Sequence, residues 1–410
     1  MARLVMKFGG TSVAGIPEIE NAAKKVAAEV ARGHQVAVTV SAMAGVTNQY
    51  VDYCRAISPL HDAREYDAVV ASGENVTAGL MALALQKIGI TARSWQGWQI
   101  PILTDEVHGK ARIQRIDIDE LDKRLSANEV AVVAGFQGIT PRQRISTLGR
   151  GGSDTTAVAV AAALKADRCD IYTDVNGVYT TDPRIVPEAR KLSKVSYEEM
   201  LEMASLGAKV LMTRSVEMAM KMNVPVQVLS SFEDAIGSDF PGTLVLREDS
   251  ILEQHVVNGV TYSRNEAKVT LLEVPDVPGI AAMVFGSLSA SSINIDMIVQ
   301  NVSPDGRKTD LTFTLPRTEL PQALATLRKI PELEKAEIRA DDKVAKVSVI
   351  GIGMQSHTGV AQTMFRALGE KGINIQVIST SEIKISVLID ESYTELAIRA
   401  IHAAYKLEEA

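Results

Sequence analysis

Three short segments carry the residue types that hold and transfer phosphoryl groups. Lys7-Phe8-Gly9-Gly10-Thr11-Ser12 closes a short apolar run and precedes a helical one. Consecutive glycines let backbone amides approach an anion, and a lysine supplies a compact positive charge for phosphoryl oxygens. The lysine stands before the glycines, so this is not the G-x-x-x-x-G-K-[ST] phosphate loop, which occurs nowhere in the chain. A plain strand-ending turn is the other use of such a segment. In Gly149-Arg150-Gly151-Gly152-Ser153-Asp154, glycines enter a helix at Asp154, and Arg150 offers a bidentate grip on a carboxylate. A dinucleotide fingerprint, with Asp174 as its ribose acid, fits badly. Asp154 occupies the place of a Gly or Ala and would repel a pyrophosphate. The third segment, Thr173 to Arg184 (TDVNGVYTTDPR), is a polar loop leaving a buried strand, where α/β sheets bind ligands. Ser72-Gly73-Glu74 adds an acid at a helix mouth and Lys209 a second cation; taken singly, either could be surface charge.

Alternating strands and helices must position these loops. Leu4–Phe8 and Val36–Val40 are short apolar runs ending in Gly- or Ser-rich loops, and Glu18–Ala31 between them has helical apolar spacing. Val130–Ala134 predicts a buried strand, Asp154–Lys165 a helix opened by an acidic cap, and Asp170–Thr173 another strand. Helical stretches follow at Tyr197–Ala204 and Ala208–Lys221, then a strand at Pro225–Leu229. This alternation predicts an α/β unit over residues 1–248, with a mostly parallel sheet between helix layers.

Beyond Arg247 an internal repeat appears. Val269-Thr-Leu-Leu, Gly279, Phe285 and Ile293-Asn294-Ile295 recur as Val347-Ser-Val-Ile, Gly359, Phe365 and Ile373-Asn374-Ile375. In each copy a helix starts at the glycine and Ile-Asn-Ile opens the next strand. Later pieces fall at Lys308–Leu315 and Glu319–Arg328 in the first copy, and at Ile383–Ile389 and Glu395–Tyr405 in the second. Both copies predict ferredoxin-like βαββαβ modules, at 266–341 and 342–410, with 249–265 joining them to the first unit.

Composition narrows the function classes. The 410 residues allow two to four domains, and 43 Lys+Arg against 50 Asp+Glu give a net charge of −7, which argues against a nucleic-acid partner. No apolar run approaches the roughly 18 residues of a membrane span, and the opening MARLVMKFGG turns Gly-rich too early for a signal peptide. A cytoplasmic protein without a membrane partner is expected. Cys54 and Cys169 cannot form a disulfide framework or a C-x-x-C site and predict small core residues. The six histidines, His61 and His255 among them, show no zinc-ligand spacing.

Val5 to Val13, with Ser41-Ala-Met-Ala-Gly45, Ser72-Gly73-Glu74, Gly149 to Asp154 and Thr173 to Arg184, closely resembles the aspartokinases over essentially the whole chain. That family joins an amino-acid-kinase domain to two ACT modules. At this length a monofunctional member is expected, without the homoserine dehydrogenase domain of bifunctional relatives. The resemblance implies transfer of the ATP γ-phosphoryl group to the side-chain carboxylate of L-aspartate, with Mg²⁺ held mainly by ATP and water. It implies that Lys7 and Lys209 stabilise the transferring phosphoryl, that Gly9 and Gly10 donate amides, and that Asp154 orients the lysines. Arg150 would hold the substrate α-carboxylate and Glu74 its ammonium, with Ser41, Thr47 and Ser153 completing the pocket. Thr173, Asp174, Tyr179, Asp182, Arg184, Val210 and Phe8 would line the nucleotide site.

For the ACT modules the resemblance implies amino-acid effectors, lysine and/or threonine, bound near the first helix of each module. Asp276, Gly279, Ala281, Asn294 and Gln300 would serve in the first copy, and Gly359, Val360, Asn374, Ile375, Ser381 and Glu382 in the second. The second copy has Ser356-His357-Thr358 before its glycine and no acid there. The resemblance further implies insertion of the first module into the second, with His255–Tyr262 as a strand of the latter. It also implies a homo-oligomer formed through these modules, and it admits a short subunit from an internal start at Met283 or earlier. Two alternatives stay open on the residues: a kinase for glutamate or N-acetylglutamate, and an amino-acid-binding regulator whose kinase unit is inactive.

Overall fold

The computed structural model describes residues 1–206, 210–250, 256–303, 307–352, 354 and 357–409. They form two compact units: Met1–Val178 with Lys191–Ser205 and Lys209–Leu252, and Tyr179–Arg190 with Leu206–Ala208 and Glu253–Ala410.

The first unit runs β1 (Arg3–Phe8), α1 (Ile16–Ala31), β2 (Gln35–Val40), α2 (Val46–Ile57), α3 (Ala63–Val70), α4 (Ser72–Lys87) and β3 (Ala92–Trp95). It continues through β4 (Ile102–Thr104), β5 (Ile113–Ile116), α5 (Asp119–Ser126), β6 (Val130–Ala134), β7 (Gln137–Ile139) and β8 (Ile145–Thr147). Last come α6 (Gly152–Ala163), β9 (Arg168–Thr173), β10 (Lys194–Ser196), α7 (Tyr197–Ser205), α8 (Thr213–Met222), β11 (Val226–Ser230) and β12 (Thr243–Leu246). The main sheet has the order β10-β12-β11-β9-β1-β2-β6-β3, and only β11 and β12 pair antiparallel. Its central strands are buried almost end to end, as a sheet covered on both faces requires. Ile19, Ala22 and Val26 of α1 and Ala78, Met81 and Leu85 of α4 pack with Met6, Val38 and Val132 on one face. Helix α6 packs on the other face, beside α8.

A second small sheet, β5-β4-β7-β8, escapes sequence reading because its strands are three or four residues long. The stretch Ala63–Lys87 is long and apolar enough to cross a membrane, at a mean hydropathy of 1.4, but half of that window is buried in the protein. Cys54 and Cys169 are buried free thiols.

The second unit runs β13 (Gly259–Pro275), α9 (Ile280–Ala290), β14 (Ile298–Val302), β15 (Lys308–Leu315), α10 (Leu320–Leu327) and β16 (Glu337–Ile350). It ends with α11 (Val360–Glu370), β17 (Val377–Thr380), β18 (Lys384–Asp390) and α12 (Thr394–Ala404). One antiparallel sheet, β14-β15-β13-β16-β18-β17, serves both repeats. Gly259–Ser263 of β13 pairs with Lys346–Ile350, whereas Lys268–Leu272 pairs with Glu337–Asp341, so each long strand passes through both repeats. Each repeat keeps its own apolar core. Ile-Asn-Ile precedes the next strand in both copies rather than opening it, because Ile293 and Ile373 turn into those cores. Ile185, Val186 and Ala189, expected within the first unit, are buried in the second repeat's core.

Candidate active site

Four adjacent strands deliver their carboxyl ends to one place: β9 at Thr173, β1 at Phe8, β2 at Val40 and β6 at Ala134. A cleft of about 1830 Å³ there is lined by Lys7, Gly10, Ser41, Thr47, Glu74, Arg150, Ser153 and Asp154, among others. Residues far apart in the chain thus face one volume.

Lys7 sits one residue before the end of β1, with Nζ 2.5 Å from Asp154 Oδ1 and both side chains nearly buried. Asp154 does not open its helix as the sequence predicts. Helix α6 starts two residues earlier behind Gly151, so the carboxylate lies in the first turn and meets the lysine instead of capping. Gly151 adopts φ +68, and a Cβ there would fall 2.0 Å from Met212 Cγ, so only glycine fits. At Gly9 a Cβ would lie 3.2 Å from Lys7 Nζ, so the missing side chain gives the ammonium its room. The Gly9 amide donates to Tyr172 O at 3.2 Å, in line with the β1–β9 pairing, and is therefore not the anion donor expected of it. The Phe8 ring is fully buried and stacks on Tyr172 at 4.8 Å, which leaves only its backbone for a ligand.

Glu74 lies in the first turn of α4 and is 3% exposed, so it is not a surface charge. The start of α4 presses on the Ser41–Gly45 loop: a Cβ on Gly73 would stand 2.7 Å from Ala42 Cβ. That approach lets the Ala42 amide donate to Glu74 Oε1 at 3.0 Å. Oε2 is buried without a hydrogen-bond partner among the described residues. Burial pushes the Glu74 carboxyl up to about 7, against the opposing pull of the Ala42 amide. Arg150 is exposed, Ser41 and Thr47 are half-buried, and Ser153 is buried. The cleft therefore places the Lys7 ammonium, the Arg150 guanidinium and the under-satisfied Glu74 acid in one lining, with further cations such as Lys110, Arg112 and Lys221, a surface suited to a small zwitterion beside a phosphate.

Thr173 Oγ1 donates to Asp174 Oδ1 at 3.2 Å where the chain leaves β9. Val210 is half-buried in the turn before α8, and that helix starts at Thr213 rather than Ala208. Lys209, His255 and Ser356 lie outside the described residues. Tyr179, Asp182 and Arg184 belong to the second unit. There Asp182 accepts from the Arg184 guanidinium at 3.0 and 2.8 Å and from the Tyr262 hydroxyl at 3.2 Å, and Arg184 holds the carboxyl below its usual range.

In the second unit Gly279 and Gly359 take nearly identical left-handed backbone, φ +96 and +94, as the residues capping α9 and α11. Asp276 is half-buried in the turn before Gly279, and Ala281 and Val360 occupy the first turns of the two helices. Asn294 and Asn374 are exposed ahead of their strands, Ile375 is half-buried, and Gln300 is exposed on β14. Ser381 and Glu382 sit in the β17–β18 turn.

Sequence reasoning missed two charges at the cleft, the half-buried Arg214 in its lining and the buried Asp67 behind it. Arg214 of α8 donates to Leu148 O and Ala111 O, each at 2.7 Å; no motif marks it. Asp67 is fully buried on α3, and the only signal was a carboxylate within the apolar pattern of Tyr66 to Val70.

Comparison with known proteins decides the family. Residues 2–230 match the amino acid kinase family, and residues 268–332 and 347–405 each match an ACT domain. An aspartate kinase of Pseudomonas putida is 52% identical over 410 residues, covering 100% of this chain and 98% of that one. This chain belongs to the aspartate kinase family. An aspartokinase of Mycolicibacterium smegmatis is 47% identical over 99% of this chain and 97% of its own. E. coli aspartokinase III in complex with aspartate and ADP superposes with a TM-score of 0.78 at 26% identity, over 98% of this chain and 99% of that one. The same enzyme with lysine and aspartate gives a TM-score of 0.76, with the same identity and coverage. This aspartate kinase thus joins an amino-acid-kinase domain to two ACT domains, and nucleotide use follows from the family.

Proposed function

We propose that this aspartate kinase transfers the γ-phosphoryl group of ATP to the side-chain carboxylate of L-aspartate in the cytoplasm. The product is 4-phospho-L-aspartate, the starting intermediate for lysine, threonine and methionine. The observation that carries the reading is the buried Oε2 of Glu74, without a hydrogen-bond partner among the described residues, in a cleft shared with Lys7 and Arg150. An aspartate α-ammonium satisfies that oxygen, its α-carboxylate takes the Arg150 fork, and its side-chain carboxylate then points toward Lys7. Phosphoryl transfer asks little covalent help of a protein; it asks that two mutually repelling anions be neutralised and aligned. Lys7, fixed by Asp154, supplies fixed positive charge where negative charge accumulates, and Lys209 has the same role. Gly10 gives the phosphates close access to the backbone, and Thr173, Asp174 and Val210 serve the nucleotide. Mg²⁺ arrives on the phosphates and offsets their charge, a role that needs few protein ligands.

The ACT repeats serve as the sensor. Lysine or threonine, or both in concert, bind at the Gly279 helix start, where Asp276 takes the ammonium, with the Gly359 site as its counterpart. The enzyme assembles as a homo-oligomer through these repeats. An ADP-release assay with hydroxylamine trapping of the acyl phosphate tests the activity. Turnover with aspartate but not with glutamate or N-acetylglutamate supports the reading, turnover with either of the others replaces the substrate, and no turnover with any leaves a regulator.

A further inference from the structure

Asp67 on α3 is fully buried and does not itself line the cleft, but its partners Thr147 and Gly109 do. Its carboxylate accepts from Thr147 Oγ1 at 2.6 Å, the Thr147 amide at 3.0 Å, His108 Nδ1 at 2.8 Å and the Gly109 amide at 3.1 Å. A buried carboxylate costs stability unless fully paired, and apolar residues usually hold a fold together better. What distinguishes this one is the pair of segments it joins. Thr147 ends β8 and runs through Leu148 and Gly149 directly into Arg150. Gly109 packs beneath the same loop: Gly149 takes φ +78, and a Cβ there would lie 3.0 Å from Gly109 O. The Ala111 amide then donates to Thr147 O at 2.9 Å, binding the two segments side by side. Arg214 braces the opposite side through Leu148 O and Ala111 O.

We infer that Asp67 is a positioning residue that sets the Gly149–Arg150 loop, and with it the guanidinium that receives the substrate carboxylate. The inference rests on the reading of Arg150 as the aspartate α-carboxylate receptor. A receptor on a glycine loop has no precision of its own; the Asp67 network supplies it from α3, the helix that leads into Glu74.

The test is steady-state kinetics of three full-length variants. Asp67→Asn keeps the size but turns an amide NH₂ against N–H donors, so the aspartate KM should rise by about 10-fold or more, the scale of supporting-shell losses. The ATP KM should stay within about twofold, because the loop serves substrate rather than nucleotide. Thr147→Val removes one hydroxyl donor, keeps the β-branched shape, and should raise the aspartate KM by about 2–5-fold with the same ATP invariance. Equal rises in both KM values, or a fall in kcat alone, overturn the inference, and should Asp67→Asn fail to fold, Thr147→Val decides by the same criteria. Arg150→Ala separates the premises. If it leaves the aspartate KM unchanged, the Arg150 reading falls and takes the inference with it. If it raises that KM and neither other variant does, only the role of Asp67 falls.

Discussion

Lys7 Nζ and Asp154 Oδ1 meet at 2.5 Å, tying the end of the central strand to the first turn of α6. An ammonium so fixed needs no reorganisation when charge develops beside it, the condition under which a single contact contributes most to rate. Lys7→Ala should therefore lower kcat by roughly 10²–10³. Asp154→Asn leaves the ammonium present but mobile and should have a smaller effect in the same direction. Initial rates at saturating substrates check both, and a folded Lys7→Ala enzyme with unchanged kcat removes the lysine from the chemistry.

Glu74 makes substrate binding pH-dependent. Only the ionised acid attracts an ammonium, so as pH falls through about 7 the aspartate KM should climb while the ATP KM stays flat. Stability runs the other way. The folded carboxyl titrates near 7 rather than at 4.5, so the folded state holds the proton more tightly and the free protein loses stability as pH rises through that window. The loss is about 3 kcal/mol once the acid is ionised. Glu74→Gln should melt higher than the parent at pH 8, bind aspartate poorly, and show no such pH dependence. Melting curves and KM values at pH 6 and 8 test the three statements together.

Arg150 offers a fork that lysine cannot copy. Arg150→Lys keeps the charge and loses the bidentate geometry, so the aspartate KM should rise by about 10-fold at unchanged ATP KM. Parallel rises in the two would place the residue at the nucleotide.

Gly151→Ala should destabilise the first unit by about 2–5 kcal/mol, adding left-handed strain to a clash with Met212. Shortening the neighbour in Gly151→Ala/Met212→Ala should recover part of the loss. Thermal denaturation of both proteins shows whether the clash is the cause.

Asp276→Ala should relieve inhibition by lysine and threonine while leaving uninhibited kcat intact, because this residue lies outside the kinase cleft. A coupling of about 1–3 kcal/mol corresponds to a shift of roughly 5–150-fold in affinity, so rates at subsaturating aspartate with millimolar effector are the sensitive measurement. Undiminished inhibition in the variant would move the effector elsewhere.

What the sequence disclosed followed periodicity and local motif. The parallel strands are short apolar runs whose burial on both faces is written in composition, and Lys7 and Arg150 stand in segments whose residue types already pointed to anions, whereas Glu74 read alone could have been surface charge. The small sheet β5-β4-β7-β8 was hidden because three-residue strands carry no period. The start of α6 was misplaced because Asp154 looks like a cap, and only the spatial neighbour Lys7, far away in the chain, shows where its charge goes. Asp67 and Arg214 were hard to find for a related reason: the partners of Arg214 are backbone carbonyls, which have no residue type, and those of Asp67, Thr147 and His108 among them, lie 80 and 41 residues away in the chain. The engaged Gly9 amide was equally hidden, since strand pairing consumes it.

The shared strands of the regulatory half decide where that half can be cut. Because β13 first pairs within the second repeat and then within the first, any polypeptide starting at Met283 lacks the strand that both repeats lean on, and exposes the edges of β15 and β16. Such edges invite aggregation. A self-sufficient regulatory fragment must begin before Gly259, and neither repeat can be excised, swapped or duplicated alone without unravelling its neighbour.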